Sequence, residues 1–180
     1  MPRRVAHGLL ALIPLLAFGA AVPSLIATGR RGTFARIMLA AVVWVGGMFF
    51  ALVALRPATA PIEPGPRLLL WSRVLDRFFR WVIAAIVVLL ASGYGMIFGV
   101  YAGFRGVGLH IHLMQGIGIV MMLLFLHLYF APWRRFRAAL AAPDYPSAAG
   151  QLNQIRLIVM INLILGLITV ALGSSGRYWG

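Results

Sequence analysis

Residues 108–137 read GLHIHLMQGIGIVMMLLFLHLYFAPWRRFR and hold three of the chain's four histidines, His110, His112 and His127. From Ile117 to Leu126 no charged or strongly polar residue interrupts the run. An apolar segment with a histidine towards each end, closing on Trp133-Arg134-Arg135-Phe136-Arg137, has the outline of a membrane-spanning helix with polar groups at two depths.

The rest of the chain agrees with that outline. Apolar residues make up 62% of the 180 positions, more than a soluble domain of this size can hide from water. All sixteen basic residues are arginine, and only Glu63, Asp76 and Asp144 are acidic, giving a formal net charge of +13. The arginines cluster at the ends of apolar runs, where they set topology and meet anionic headgroups, so the charge argues for a lipid bilayer as partner and against nucleic acid. Without cysteine, disulfides, thiolate metal sites, iron–sulfur clusters and covalently attached haem are excluded.

Five apolar runs are long enough, or nearly so, to cross a bilayer as helices. The first, 8–28, follows two arginines and contains Pro14 and Pro23, and it reads as an anchor helix or a signal-like segment. The second, 34–55, stops at Arg56-Pro57. Residues 57–66, with four prolines, read as a loop, and 67–80 as an amphipathic approach at headgroup level. The third run is 81–100, the fourth lies within 108–137, and the fifth, 155–172, follows a polar loop at 138–153. The fold expected is all-α: an integral membrane bundle of four core transmembrane helices (34–180) behind an N-terminal hydrophobic helix (1–33). Nine arginines lie in or beside the two loops after residues 55 and 130, against Arg105 and Arg177 on the opposite side of the last four runs. That asymmetry makes those loops cytoplasmic and the C-terminus external, although Arg30, Arg31 and Arg36 run against it.

On a helix, His112 and His127 are separated by about 22 Å along the axis and about 60° around it, so they cannot hold one ion together. Gly116, one turn beyond His112, leaves bare backbone beside the histidine, the surface a flat macrocycle needs; close helix packing is the competing explanation for such a glycine. His110 and His127 also suit interfacial hydrogen bonding, with Trp133 marking the headgroup zone nearby. His112, with Met114 and Gln115 beside it, is the stronger candidate for chemistry. Asn162, Gly166, Thr169 and Gly173 share one helical face and read as a packing seam, with Asn162 able to bond a neighbouring helix. The methionines are scattered; Met114 and Met121 share a face, but no dense copper box stands out. No carboxylate pair, nucleophile elbow or phosphate loop is present, which argues against acyl transfer, phosphoryl transfer and glycoside hydrolysis.

The motifs WVGGMFFALVALRPA (44–58), RFFRW (77–81), SGYGM (92–96), HIHLMQGIG (110–118), LFLHLYFAPWRRFR (124–137) and QIRLIVMINLILGLITV (154–170) together resemble the copper resistance protein D (CopD) family over about residues 37–176. The resemblance implies a multi-pass helical bundle of the bacterial inner membrane, tied by name to copper uptake or tolerance and, in small members, to b-type haem held by histidines on two helices. Two departures stand out. Ile37 occupies the position where such members carry a histidine facing the equivalent of His112, and the N-terminal segment is additional. With that mate missing, the substitutes are Met38, His7, a second protomer's His112, or none, which would leave a five-coordinate haem or an empty site. The leading expectation is haem b bound through His112, beside Gly116 and with His127 and Met38 as further contacts, in a membrane redox or haem-handling protein with a periplasmic C-terminus. The alternative is copper uptake or tolerance through His112, His127 and Met114; a third is a cofactor-free assembly subunit. A homodimer and a redox or copper-handling partner would fit either of the first two.

Overall fold

A computed structural model of the chain describes residues 30–100 and 108–175. The hydrophobic segment expected at 8–28, His7 and Arg105 lie outside the described residues.

The described residues form α1 (Arg30–Phe49), which continues through a π-helical turn π1 (Phe50–Leu55) into the short α2 (Arg56–Ala58), then α3 (Pro64–Val100), α4 (Leu109–Phe130), α5 (Pro132–Ala141) and α6 (Tyr145–Ser175). Among the described residues, three stretches are long and apolar enough to cross a bilayer: Ala35–Ala58, Leu109–Ala141 and Tyr145–Ser175. The chain is a multi-pass membrane protein. The apolar run 81–100 forms the second half of α3.

Several boundaries differ from the sequence expectation, and proline explains most of them. Pro64 and Pro66 stand in the first turn of α3, where a missing N–H leaves no helical bond unmade, so only 59–63 lies outside a helix. Pro132 does the same for α5 and Pro146 for α6, which reduces the loop expected at 138–153 to residues 142–144. Residues 67–80 are not a separate amphipathic element. They are continuous with 81–100 in one 37-residue helix, and Leu68, Trp71, Leu75 and Phe79 bury a continuous stripe against the bundle. The link expected at 29–32 is helical from Arg30 onward.

In the bundle, α1 packs on α3 and α6, α4 packs on α6, and α5 folds back against α4 and α6. Trp133, beside the arginine cluster, is buried. Its ring meets Phe79 edge-on at 5.1 Å, and Phe79 meets Phe125 at 5.6 Å, so aromatic rings from α3, α4 and α5 close the arginine-rich end of the core. Arg134, Arg135 and Arg137 of α5 stay exposed beside them.

Candidate functional site

Helix α4 is apolar on every side, so hydrophobicity alone does not say which side turns inward. The packing decides it: Met121, Phe125 and Leu128 are buried, and Met114 shares their face. Opposite them stands the small-residue stripe of α6. A Cβ on Gly166 would come 3.3 Å from Met121 Cε and 2.8 Å from Val45 Cγ2, and one on Gly173 would come 3.0 Å from Met114 Cε and 3.5 Å from its sulfur. Two methionines seven residues apart thus seat on two glycines seven residues apart, as antiparallel helices in close contact require. Asn162 is buried in the same seam and donates from Nδ2 to the Met121 carbonyl at 3.3 Å, the interhelical bond expected of it. Its Oδ1 is buried with no hydrogen-bond partner among the described residues. The seam therefore offers two thioether side chains and a bare amide oxygen.

The other residues singled out in the sequence are elsewhere. His112 is nine positions before Met121, about 180° around the helix, and is exposed on the outward side of α4. Gly116 is on that side too, with none of the described residues within 4 Å of where its Cβ would be, and His127 is exposed further along. Met38 on α1 is 41% exposed, and Ile37 is half-buried. Among the described residues, no second histidine shares the depth of His112 on a facing helix. Nor do they gather three or more His, Asp or Glu side chains as an ion site. Of the five residues named for cofactor or metal, only Met114 reaches the interior seam. Gln115 Nε2 donates to the Tyr94 hydroxyl at 3.2 Å and ties α4 to the end of α3.

A second polar centre lies at the opposite end of the bundle. Thr59, buried just after α2, donates from its hydroxyl to the Leu55 carbonyl at 2.9 Å and accepts from Trp71 Nε1 at 3.0 Å. The guanidinium of Arg156 lies 4.5 Å from the centroid of the Trp71 ring. Sequence reasoning had counted Arg156 with the charges that set topology and had not singled out Trp71 or Thr59. A hydroxyl near the start of a proline-rich loop, followed twelve residues later by a tryptophan on the apolar stripe of a helix, is the signal that was there to read.

A family model described as copper resistance protein D matches residues 72–175, more than half of the chain. No curated protein and no solved structure matches.

Proposed function

This chain belongs to the copper resistance protein D (CopD) family, and on that premise we propose that it handles copper at the membrane, with the metal as its cargo. The family match is the observation that carries the reading. The chemistry of the α4–α6 seam is compatible with it, since thioether sulfur is a soft donor suited to Cu(I), and Met114 and Met121 place two such sulfurs at successive depths along one interface. Seven residues on a helix is about 10.5 Å, so the two sulfurs act as successive contacts and not as one ligand set. His112, on the outward side near the start of α4, is a nitrogen donor at the mouth of the same helix.

The proposal includes four core spans, the second half of α3 being the fourth, in a bacterial inner membrane. The arginine-rich loops face the cytoplasm and the C-terminus faces the periplasm. The additional hydrophobic segment, 1–33, precedes the family domain as an anchor.

Copper accumulation measured by mass spectrometry in cells with and without the protein tests this reading. Expression is expected to change cellular copper, and the Met114→Leu/Met121→Leu double variant to abolish the change at an equal membrane level of protein. Unchanged copper on expression overturns the proposal. A Soret band in the purified protein, with a positive pyridine haemochrome assay and loss of both in His112→Ala, would replace it with the haem reading.

A further inference from the structure

Helix α1 has three sides, and two of them are taken. Towards α3, a Cβ on Gly47 would run into the Phe78 ring; towards α6, Val45 Cγ2 stands 2.8 Å from the position of a Gly166 Cβ. The third side carries Leu39, Val42, Gly46 and Phe49. Steps of three, four and three residues keep all four within about 80° of the helix circumference. Leu39, Val42 and Phe49 are each more than half exposed, and none of the described residues comes within 4 Å of a Cβ built on Gly46. Large side chains above and below a bare stretch of backbone leave a notch of the kind that a second helix fills in a membrane.

An outward glycine is not a contact by itself, and Gly116 on α4 is another. What separates the two is where the rest of the apolar chain joins the bundle. The run 8–28 ends one residue, Gly29, before α1 begins at Arg30. One extended residue reaches about 3.5 Å, less than the roughly 8–10 Å between the axes of packed helices, so the end of that run lies beside the first turn of α1. Links this short join antiparallel neighbours, and the 21 residues of the run are enough to cross a bilayer once. The α4 side that carries Gly116 is further off, since α4 reaches α1 mainly through α6. We propose that the apolar segment 8–28 docks antiparallel on the strip of α1 formed by Leu39, Val42, Gly46 and Phe49, with Gly46 the point of closest approach. The contact needs neither copper nor the α4–α6 seam, and it rests on 1–33 being a retained anchor.

The chain has no cysteine, so two introduced thiols report only on each other. In the full chain in its membrane, Val42→Cys is combined with a cysteine at each position from 12 to 20 in turn and oxidised, and a disulfide forms only where the two Cα atoms come within about 7 Å. Val42 is exposed, so its replacement leaves the core untouched. Internal disulfides are expected at positions recurring about every three to four residues, read as the loss of both maleimide-reactive thiols in a chain that runs as a monomer. The same scan with Gly116→Cys is expected to give none, and Gly46→Leu, which fills the notch, to abolish those with Val42→Cys. A retained segment without internal disulfides to Val42→Cys, or with as many to Gly116→Cys, overturns the contact. Disulfides unchanged by Gly46→Leu overturn Gly46 as the closest approach. Linked dimers of the single Val42→Cys variant in place of internal disulfides would give the strip to a second copy and overturn the proposal. An intact mass that lacks residues 1–28 would overturn the anchor and the contact together.

Discussion

The indole N–H of Trp71 donates to the hydroxyl of Thr59 at 3.0 Å, and this bond joins the start of α3 to the turn that ends the first span. Trp71 is 1% exposed and Thr59 2%, so neither group has water to fall back on. Thr59→Val leaves the indole N–H buried and unpaired, and is expected to cost about 1–3 kcal/mol, whereas Thr59→Ser restores the bond. Thermal unfolding in detergent reads the difference. In a double-mutant cycle with Trp71→Phe the two losses should not add, because either change alone removes the same bond. Additive losses would show that the contact contributes nothing of its own.

The contrast between two glycines on neighbouring helices gives a second test. A methyl group on Gly166 would press on Val45 Cγ2, whose β-branched side chain has no free rotamer to retreat into, so Gly166→Ala is expected to destabilise by about 1–3 kcal/mol. Gly116 meets none of the described residues, and Gly116→Ala should cost nothing and gain a little helix propensity. Comparable losses at both sites, measured by the midpoint of thermal unfolding, would mean that something packs against the His112 side of α4.

These two glycines also show what the sequence could and could not reveal. Lipid forces some twenty apolar residues into each span, so 34–55, 81–100, the fourth run and 155–172 were legible as helices from composition alone. The same demand erases the inward side. With apolar residues all round α4, a glycine beside a histidine reads as the packed surface, yet Met114 and Met121 are the residues that face α6. The stripe from Asn162 to Gly173 was legible, because small residues at helical spacing carry a packing reason that hydrophobicity does not dilute. The burial of Trp133 is not legible for a different cause: whether a tryptophan beside arginines turns outward or packs inward depends on a partner, here Phe79, that is 54 positions away.

Asn162 permits a sharper discrimination than either glycine. Its amide donates one interhelical bond and buries one bare oxygen, so Asn162→Leu loses a bond worth about 0.6 kcal/mol in a membrane and removes an unpaired acceptor. The two effects oppose, and near-neutral stability is expected. Asn162→Asp keeps the shape but brings a carboxyl group into the seam, and is expected to cost about 3 kcal/mol. If the aspartate variant were as stable as the leucine variant, the seam would have to be wet or to hold a cation. Copper titration of that variant, followed by its thermal midpoint, separates those two cases.

Asp144 gives the pH dependence. It caps α6, its Oδ1 accepting from the backbone N–H of Ser147 at 3.1 Å, at a helix end where negative charge is favoured. The hydrogen bonds from Ser147, the side-chain one first and the backbone one second, hold the Asp144 carboxyl below its ordinary value. A carboxyl with a lower pKa folded than unfolded contributes its stability in full above the unfolded value, about 4, and loses it as pH falls through the folded value. Stability from this cap is therefore expected to be flat across the neutral range and to decline only in acid. Asp144→Asn retains a capping oxygen and should remove the acid-side decline, while Asp144→Ala should lower stability at neutral pH and remove the decline as well. Midpoints of thermal unfolding from pH 3 to pH 7 for the three proteins give the answer, and an acid-side decline that persists unchanged in Asp144→Asn would assign it to another carboxylate.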